Sequence, residues 1–220
     1  MTALPVLLLA DSRLPSGSHA HSGGVEMAVE TGLVSTVDDL VLFLRGRLRT
    51  AAPLLASFSA AAALPIADWP TWDRALSARI PSAALRTASR AQGAALLRTV
   101  SGMWPMPEGL IALGKPHQPL VLGAAAKAAG ADARDAALLA VHHLLGGACS
   151  AAVRLLGLDP LAVAAAQARL DADEIVDEAL AAAEIAVAAN DPSSLSAVSG
   201  PMTELLAAAH AHQEVTLFAS

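Results

Sequence analysis

Tyrosine is absent from this chain, and aromatic residues of any kind make up only 3% of its 220 positions. Sheet proteins rely on aromatic and β-branched side chains to cover a pleated face, so this shortage argues against a β-rich core. Much of the 55% hydrophobic content is alanine, which favours closely packed helices. Positive charge is also short. A formal net charge of −6 and a pI near 5.6 leave no electrostatic footprint for a phosphate backbone, so nucleic acid is not an expected partner. The single cysteine, Cys149, cannot close an internal disulfide and lies in an apolar helical stretch. A buried thiol in a reducing, cytoplasmic setting is the expectation.

Catalytic signatures are missing too. The chain has no phosphate-binding loop, dinucleotide fingerprint, nucleophile elbow or zincin motif. That points to a protein that works by binding rather than by breaking bonds. Residues 4–10 are apolar, but no basic residue precedes them and no small-residue cleavage pattern follows, so they read as a helix of the mature protein. Residues 136–153 are uncharged and approach the length of a membrane span. They are built on alanine, however, and include His142, His143, Gly146, Gly147 and Ser150, so a buried core helix is expected and no membrane.

What the sequence does contain is helix punctuation, consistent with one all-α domain over residues 1–220 with roughly eight to ten helices. Gly32 and Leu33 look like a Schellman stop after a short helix at 25–31. Ser35 or Thr36 can cap the next helix, each with an aspartate three residues on, and Leu40, Leu44 and Leu48 recur at helical spacing. Arg45, Arg47 and Arg49 form a basic patch, expected to be solvated. Pro53, Pro65 and Pro70 are expected to divide the following stretch into a helix at 54–64 and a short one near 72–78.

A long amphipathic helix at 82–103 ends at the prolines Pro105 and Pro107, and the segment to Pro119 reads as a loop. Helices follow at 120–129 and from Asp132 to Leu156, the second containing Gly146 and Gly147, whose tolerance suggests close approach of another helix backbone. Asp159-Pro160 and Asp191-Pro192 each look like an N-cap followed by proline at the first helical position. In the acidic segment between them, Asp173 with Asp177 and Glu174 with Glu178 are like charges one turn apart; a basic partner would relieve the repulsion, but a solvated face is the expectation. A last helix is expected at 202–214, with residues 213–220 passing into a flexible tail.

The stretch least suited to a helix runs from Leu14 to Glu26. Gly17, Gly23 and Gly24 permit positive φ, Pro15 fixes a turn value, and serines and two histidines supply donors and acceptors. Such chemistry suits a backbone on an unusual path toward a partner or a small ligand; it equally suits an ordinary connection into the helix near Gly24. His19 and His21, two apart, could face one way in an extended loop as metal ligands do, but a closed zinc site needs further ligands. His210 and His212 repeat that spacing within an expected helix, where they diverge. His142 and His143 are adjacent, so at most one faces the core.

Leu14, Pro15, Gly17, Ser22, Gly24 and Glu26, at these spacings, resemble the N-terminal signature of the UreF family of urease accessory proteins. Further matches follow in order: Ser89, Arg90, Gln92 and Gly93; His117, Pro119 and Gly123; Ser150 to Arg154; Glu204, Leu205 and His210; and Leu217, Phe218 and Ser220. The chain departs from the family pattern at His19 and His21, where aromatics are frequent, at Glu214 and Thr216, where tyrosine and arginine are usual, and in the turn after Arg154.

The resemblance implies an all-α, non-catalytic factor that binds UreD (also called UreH), recruits and regulates the nickel-carrying GTPase UreG, and engages the urease apoprotein. Nickel would be handled in transit, along a path lined by the loop, with no cofactor held stably. Partner contacts would fall on Arg13, Gly17, Ser22, Gly24, Glu26, Arg90, His117, Arg154, His210, Leu217 and Phe218, with Arg13 the candidate to stabilise phosphoryl-transfer charge in trans. Monomer and homodimer are both compatible with this reading. The alternative is a metal-binding protein or metalloenzyme centred on His19 and His21.

Overall fold

A computed structural model describes residues 4–15, 21–195, 197–198 and 200–210. Among them are eleven helices and no strand: α1 (Leu4–Ala10), α2 (Val25–Glu30), α3 (Val37–Ala62), α4 (Trp69–Ala78), α5 (Ala83–Ser101), α6 (Glu108–Ile111), α7 (Gln118–Ala128), α8 (Ala133–Leu156), α9 (Pro160–Asp171), α10 (Glu174–Ala189) and α11 (Pro201–His210). The all-α expectation holds, and nine of the eleven have seven residues or more.

At 26 residues, α3 is about 39 Å long and is the axis on which the others pack. Leu40, Leu44, Leu48 and Ala52 on its first half face an apolar core shared with α8, α9 and α10. Phe58, Ala61 and Ala62 on its second half face another, shared with α4, α5 and α7. In that second core the Phe58 and Trp72 rings meet edge to face with centroids 5.9 Å apart.

Pro53 does not break α3, contrary to the sequence pattern. An interior proline costs a helix about 3 kcal/mol, but Ala52, Leu54 and Ala56 around it are all buried, and packing on both flanks offsets the loss. The start of α3 is settled in favour of Thr36, whose hydroxyl accepts from the Asp39 N–H while Asp39 reaches back to the Thr36 N–H. The Schellman stop after α2 is present: Leu33 N–H donates to Ala28 O, Gly32 N–H donates to Val29 O, and Gly32 has φ +74°.

Other expectations shift. The segment after Pro107 contains the short α6, and α4 starts at Trp69, capped by Asp68. Asp159-Pro160 opens α9 as anticipated, but Asp191-Pro192 opens only a three-residue 3-10 turn. There the Ser193 and Leu195 carbonyls accept from the Arg79 guanidinium, which takes them from any longer helix. Asp173 is the cap of α10 rather than a member of a like-charged row. It accepts from Ile175 N–H and pairs with Arg45 at 2.7 Å, so the basic partner comes from within the chain.

The expected close approach at Gly146 and Gly147 is not there: a Cβ built at either meets nothing within 4 Å. Close approach occurs instead at Gly93, where a Cβ would overlap the Pro116 carbonyl oxygen, and at Gly123, where it would overlap that of Ser59. These two glycines let α5 and α3 close onto α7. Among the described residues α8 alone is long and apolar enough to cross a bilayer, and 61% of its apolar window is buried in the helical body. Cys149 on α8 is buried, and burial together with Asp171 pushes its thiol up to about 11, so it is not a nucleophile near neutral pH.

Candidate functional site

The described residues of the glycine-rich stretch, 14–15 and 21–26, reach α5 through Pro15 and α11 through Glu26. Leu14 is buried, and the Thr99 hydroxyl of α5 donates to the Pro15 carbonyl at 2.7 Å. His21 and Ser22 are buried, and Gly23 and Gly24 follow with φ +61° and +89°, two consecutive left-handed residues that a side chain would strain. This turn delivers Glu26 into the first turn of α2, only 2% exposed, with its Oε2 2.8 Å from Nε2 of His210, the last residue of α11. The two residues join the N-terminal signature to the C-terminal one.

A second cluster gathers the middle signatures. Arg90 on α5 pairs with Asp73 on α4 at 2.7 Å and also donates to Ser77 Oγ and to the Lys115 carbonyl. Asp73 Oδ1 accepts from the His117 backbone N–H at 3.1 Å. The His117 imidazole is fully buried between two hydroxyls, Ser77 Oγ at 2.8 Å from Nε2 and Ser89 Oγ at 3.0 Å from Nδ1. Burial, then the positive charge of Arg90, pushes this imidazole down to about 4 against the opposing pull of Asp73. It is a neutral ring holding three segments together. The carboxylate bonds the backbone rather than the ring, so the serine, histidine and aspartate are not arranged as a nucleophilic relay.

Between the loop and α3, α5, α7, α8 and α11 lies a cavity of two lobes, about 180 and 110 Å³, both bordered by His21, Gly23, Arg47, Leu55, Gln92 and Gln118. Arg47 turns inward here, where the basic patch was expected to be solvated. The residue as a whole is half-buried, yet its Nε is sealed from water without a hydrogen-bond partner, and burial lowers the guanidinium to about 10. Its Nη1 lies so close over Gly23 that a Cβ there would overlap it. A divalent cation routed along this wall would pass a positive charge with no ion pair among the described residues.

The remaining expected site residues are dispersed. Arg13 is 88% exposed and held by Asp11 through Nε and Nη2, which keeps the Asp11 carboxyl down at about 2. Arg154 is exposed on the last turn of α8, its Nε donating to Ser150 O at 3.4 Å. Gly17, His19, Leu217, Phe218 and the 213–220 tail lie outside the described residues. No group of three potential metal ligands forms among the described residues. His142 and His143 bond the Ala10 and Leu9 carbonyls at the end of α1, and His143 is the more buried, its imidazole lowered by that burial.

Two members of these clusters are absent from the sequence-based set, though both carried a signal. Arg47 lies three residues after Leu44 and seven after Leu40, on the edge of the buried stripe of α3. Asp73 lies four after Trp69 and three before Leu76, on the inward face of α4.

The comparisons with known proteins identify the family. Residues 34–171 match the family model described as UreF. Over the full length of both chains, the sequence is 43% identical to a urease accessory protein UreF of Mycobacterium sp. (strain JLS) and 40% identical to one of Mycobacterium marinum (strain ATCC BAA-535 / M). It is 38% identical, again end to end, to one of Mycobacterium tuberculosis (strain ATCC 25177 / H37Ra).

Proposed function

The chain belongs to the UreF family of urease accessory proteins, and from this premise we propose that it is a non-catalytic cytoplasmic scaffold of urease maturation. It binds UreD/UreH, and through that partner it recruits the GTPase UreG and the urease apoprotein and regulates GTP turnover so that nickel is released toward the urease site. The observation that carries this reading is the Glu26–His210 contact. It fixes α11 against α2, next to Gly23 and Gly24, and so supports a recognition face built on these two helices. Near it, Met202 and Leu205 on α11 are more than half exposed, apolar groups available to a partner.

The buried cluster around His117 supports the same reading from inside, because a scaffold must hold that face rigidly to position other proteins. Co-expression with UreD/UreH, UreG and urease, followed by affinity capture on this chain, tests the proposal. UreD/UreH is expected to be retained alone, and UreG only when UreD/UreH is present. Capture of none of the three would overturn it.

A further inference from the structure

A guanidinium drawn partly out of water without a counter-charge is costly unless something else satisfies it. Moving a charge out of water is costly, and buried cations are ordinarily paired. In this chain the arginines beside Arg47 follow that rule or avoid it: Arg45 pairs with Asp173, and Arg49 is exposed. Arg47 has no carboxylate partner among the described residues and is half-buried. Its Nε is sealed and unbonded, Gly23 lies against Nη1, and the open space it faces is the two-lobed cavity.

The walls define what that space can hold. Leu54, Leu55, Ile80, Leu85 and Ala88 form an apolar side in the larger lobe, and the Gln92 and Gln118 carboxamides border both lobes beside Arg47. Two further charges line the larger lobe, Arg79 and Glu204. They are of opposite sign, and the Arg79 N–H groups are already engaged by the Ala75, Ser193 and Leu195 carbonyls. One positive charge is left over, so the complement is a monoanion. A phosphate dianion would bring a second negative charge up against Glu204. A guanidinium fork matches the two oxygens of a carboxylate, while the leucine and isoleucine wall accepts a short hydrocarbon chain.

We propose that this cavity is a binding site for a small aliphatic carboxylate, with Arg47 engaging the carboxylate oxygens, Gln92 and Gln118 donating from the sides, and the apolar wall covering the alkyl chain. The larger lobe adjoins the partner face, being bordered by Gly23 of the loop and by Thr203 and Glu204 of α11, but the assignment does not depend on the scaffold reading.

The test uses the purified full chain with butyrate, n-butanol, n-butylammonium and inorganic phosphate at matched ionic strength. Butyrate is expected to bind saturably with a millimolar Kd and to raise Tm by roughly 3–5 °C at ten times that Kd. Butanol, butylammonium and phosphate are expected to give little shift. In wild type, butyrate should also move the Arg47 Nε–H resonance, a readout that needs no variant. Arg47→Met should abolish the butyrate response, and Arg47→Lys, which keeps the charge but loses the fork, should weaken it about tenfold. No saturable butyrate binding at concentrations up to about 100 mM, a phosphate response larger than that of butyrate, or an unchanged butyrate response in Arg47→Met would each overturn the assignment.

Discussion

His210 and Glu26 are 184 residues apart in sequence and 2.8 Å apart in space, and neither is more than 6% exposed. A carboxylate taken this far from water requires a donor, and the imidazole N–H provides it at the cost of fixing α11 against α2. The fold therefore brings Glu26 of the N-terminal signature against His210 of the C-terminal one.

Removing His210 deletes a buried, charge-assisted hydrogen bond to Glu26, a loss of about 2–3 kcal/mol. For a domain of this size, His210→Ala should lower Tm by roughly 5–10 °C in thermal unfolding. Capture of UreD/UreH should weaken with it. An unchanged Tm in His210→Ala would show that the pair does not hold α11 in place.

The glycines separate into two classes with opposite expected signs. Gly93→Ala and Gly123→Ala would force a methyl group into a backbone carbonyl on a neighbouring element, which must move, at about 2–3 kcal/mol. Gly146→Ala and Gly147→Ala meet open space in the middle of α8 and should stabilise by about 0.5–1 kcal/mol each through helix propensity. Urea midpoints measured for the four variants check the division. A stabilised Gly93→Ala would contradict the packing described here.

Which glycine belongs to which class could not be read from the chain, because helical periodicity says which face is buried but not which backbone arrives there. Pro53 illustrates the same limit: its local signal for a break is sound, and only the two cores gripping α3 override it. Features fixed by neighbours in sequence were legible, namely the Thr36–Asp39 box, the Gly32 stop and the Asp159-Pro160 start. The loop at 14–26 was also legible as the unusual stretch. Arg47 was half-legible: its position along the buried stripe of α3 was visible, but its alternation with Arg45 and Arg49 favoured a solvated face. What it faces depends on Gly23 in the loop and on α5, α7 and α8, none of which is near in sequence.

Arg13 is exposed on the stretch leading into the loop and is steadied by Asp11 rather than buried. If it stabilises phosphoryl-transfer charge on the GTPase in trans, Arg13→Ala should reduce UreG turnover in the assembled complex by at least tenfold. Retention of UreG on the scaffold should be unaffected. Single-turnover GTP hydrolysis with and without this chain makes the comparison, and an unchanged rate would remove Arg13 from the mechanism.

His117 gives the fold a predictable response to acid. Its imidazole is held down to about 4 in the folded chain, by burial first and the Arg90 charge second, whereas the unfolded residue titrates near its ordinary value of 6.5. Between these values the unfolded state binds a proton that the folded state refuses, so stability is fully present above about pH 6.5 and falls as pH drops toward 4. The contribution is on the order of 2–3 kcal/mol. Asp73 beside it opposes the shift and Arg86 adds to it, so the response belongs to the whole cluster. Urea unfolding from pH 7.5 to 4.5 should show this decline in wild type. In His117→Asn the curve should start lower, because the Ser77 and Ser89 bonds are weakened, but run flatter through the same window. A variant curve parallel to wild type would assign the acid sensitivity to other groups and leave His117 with a packing role alone.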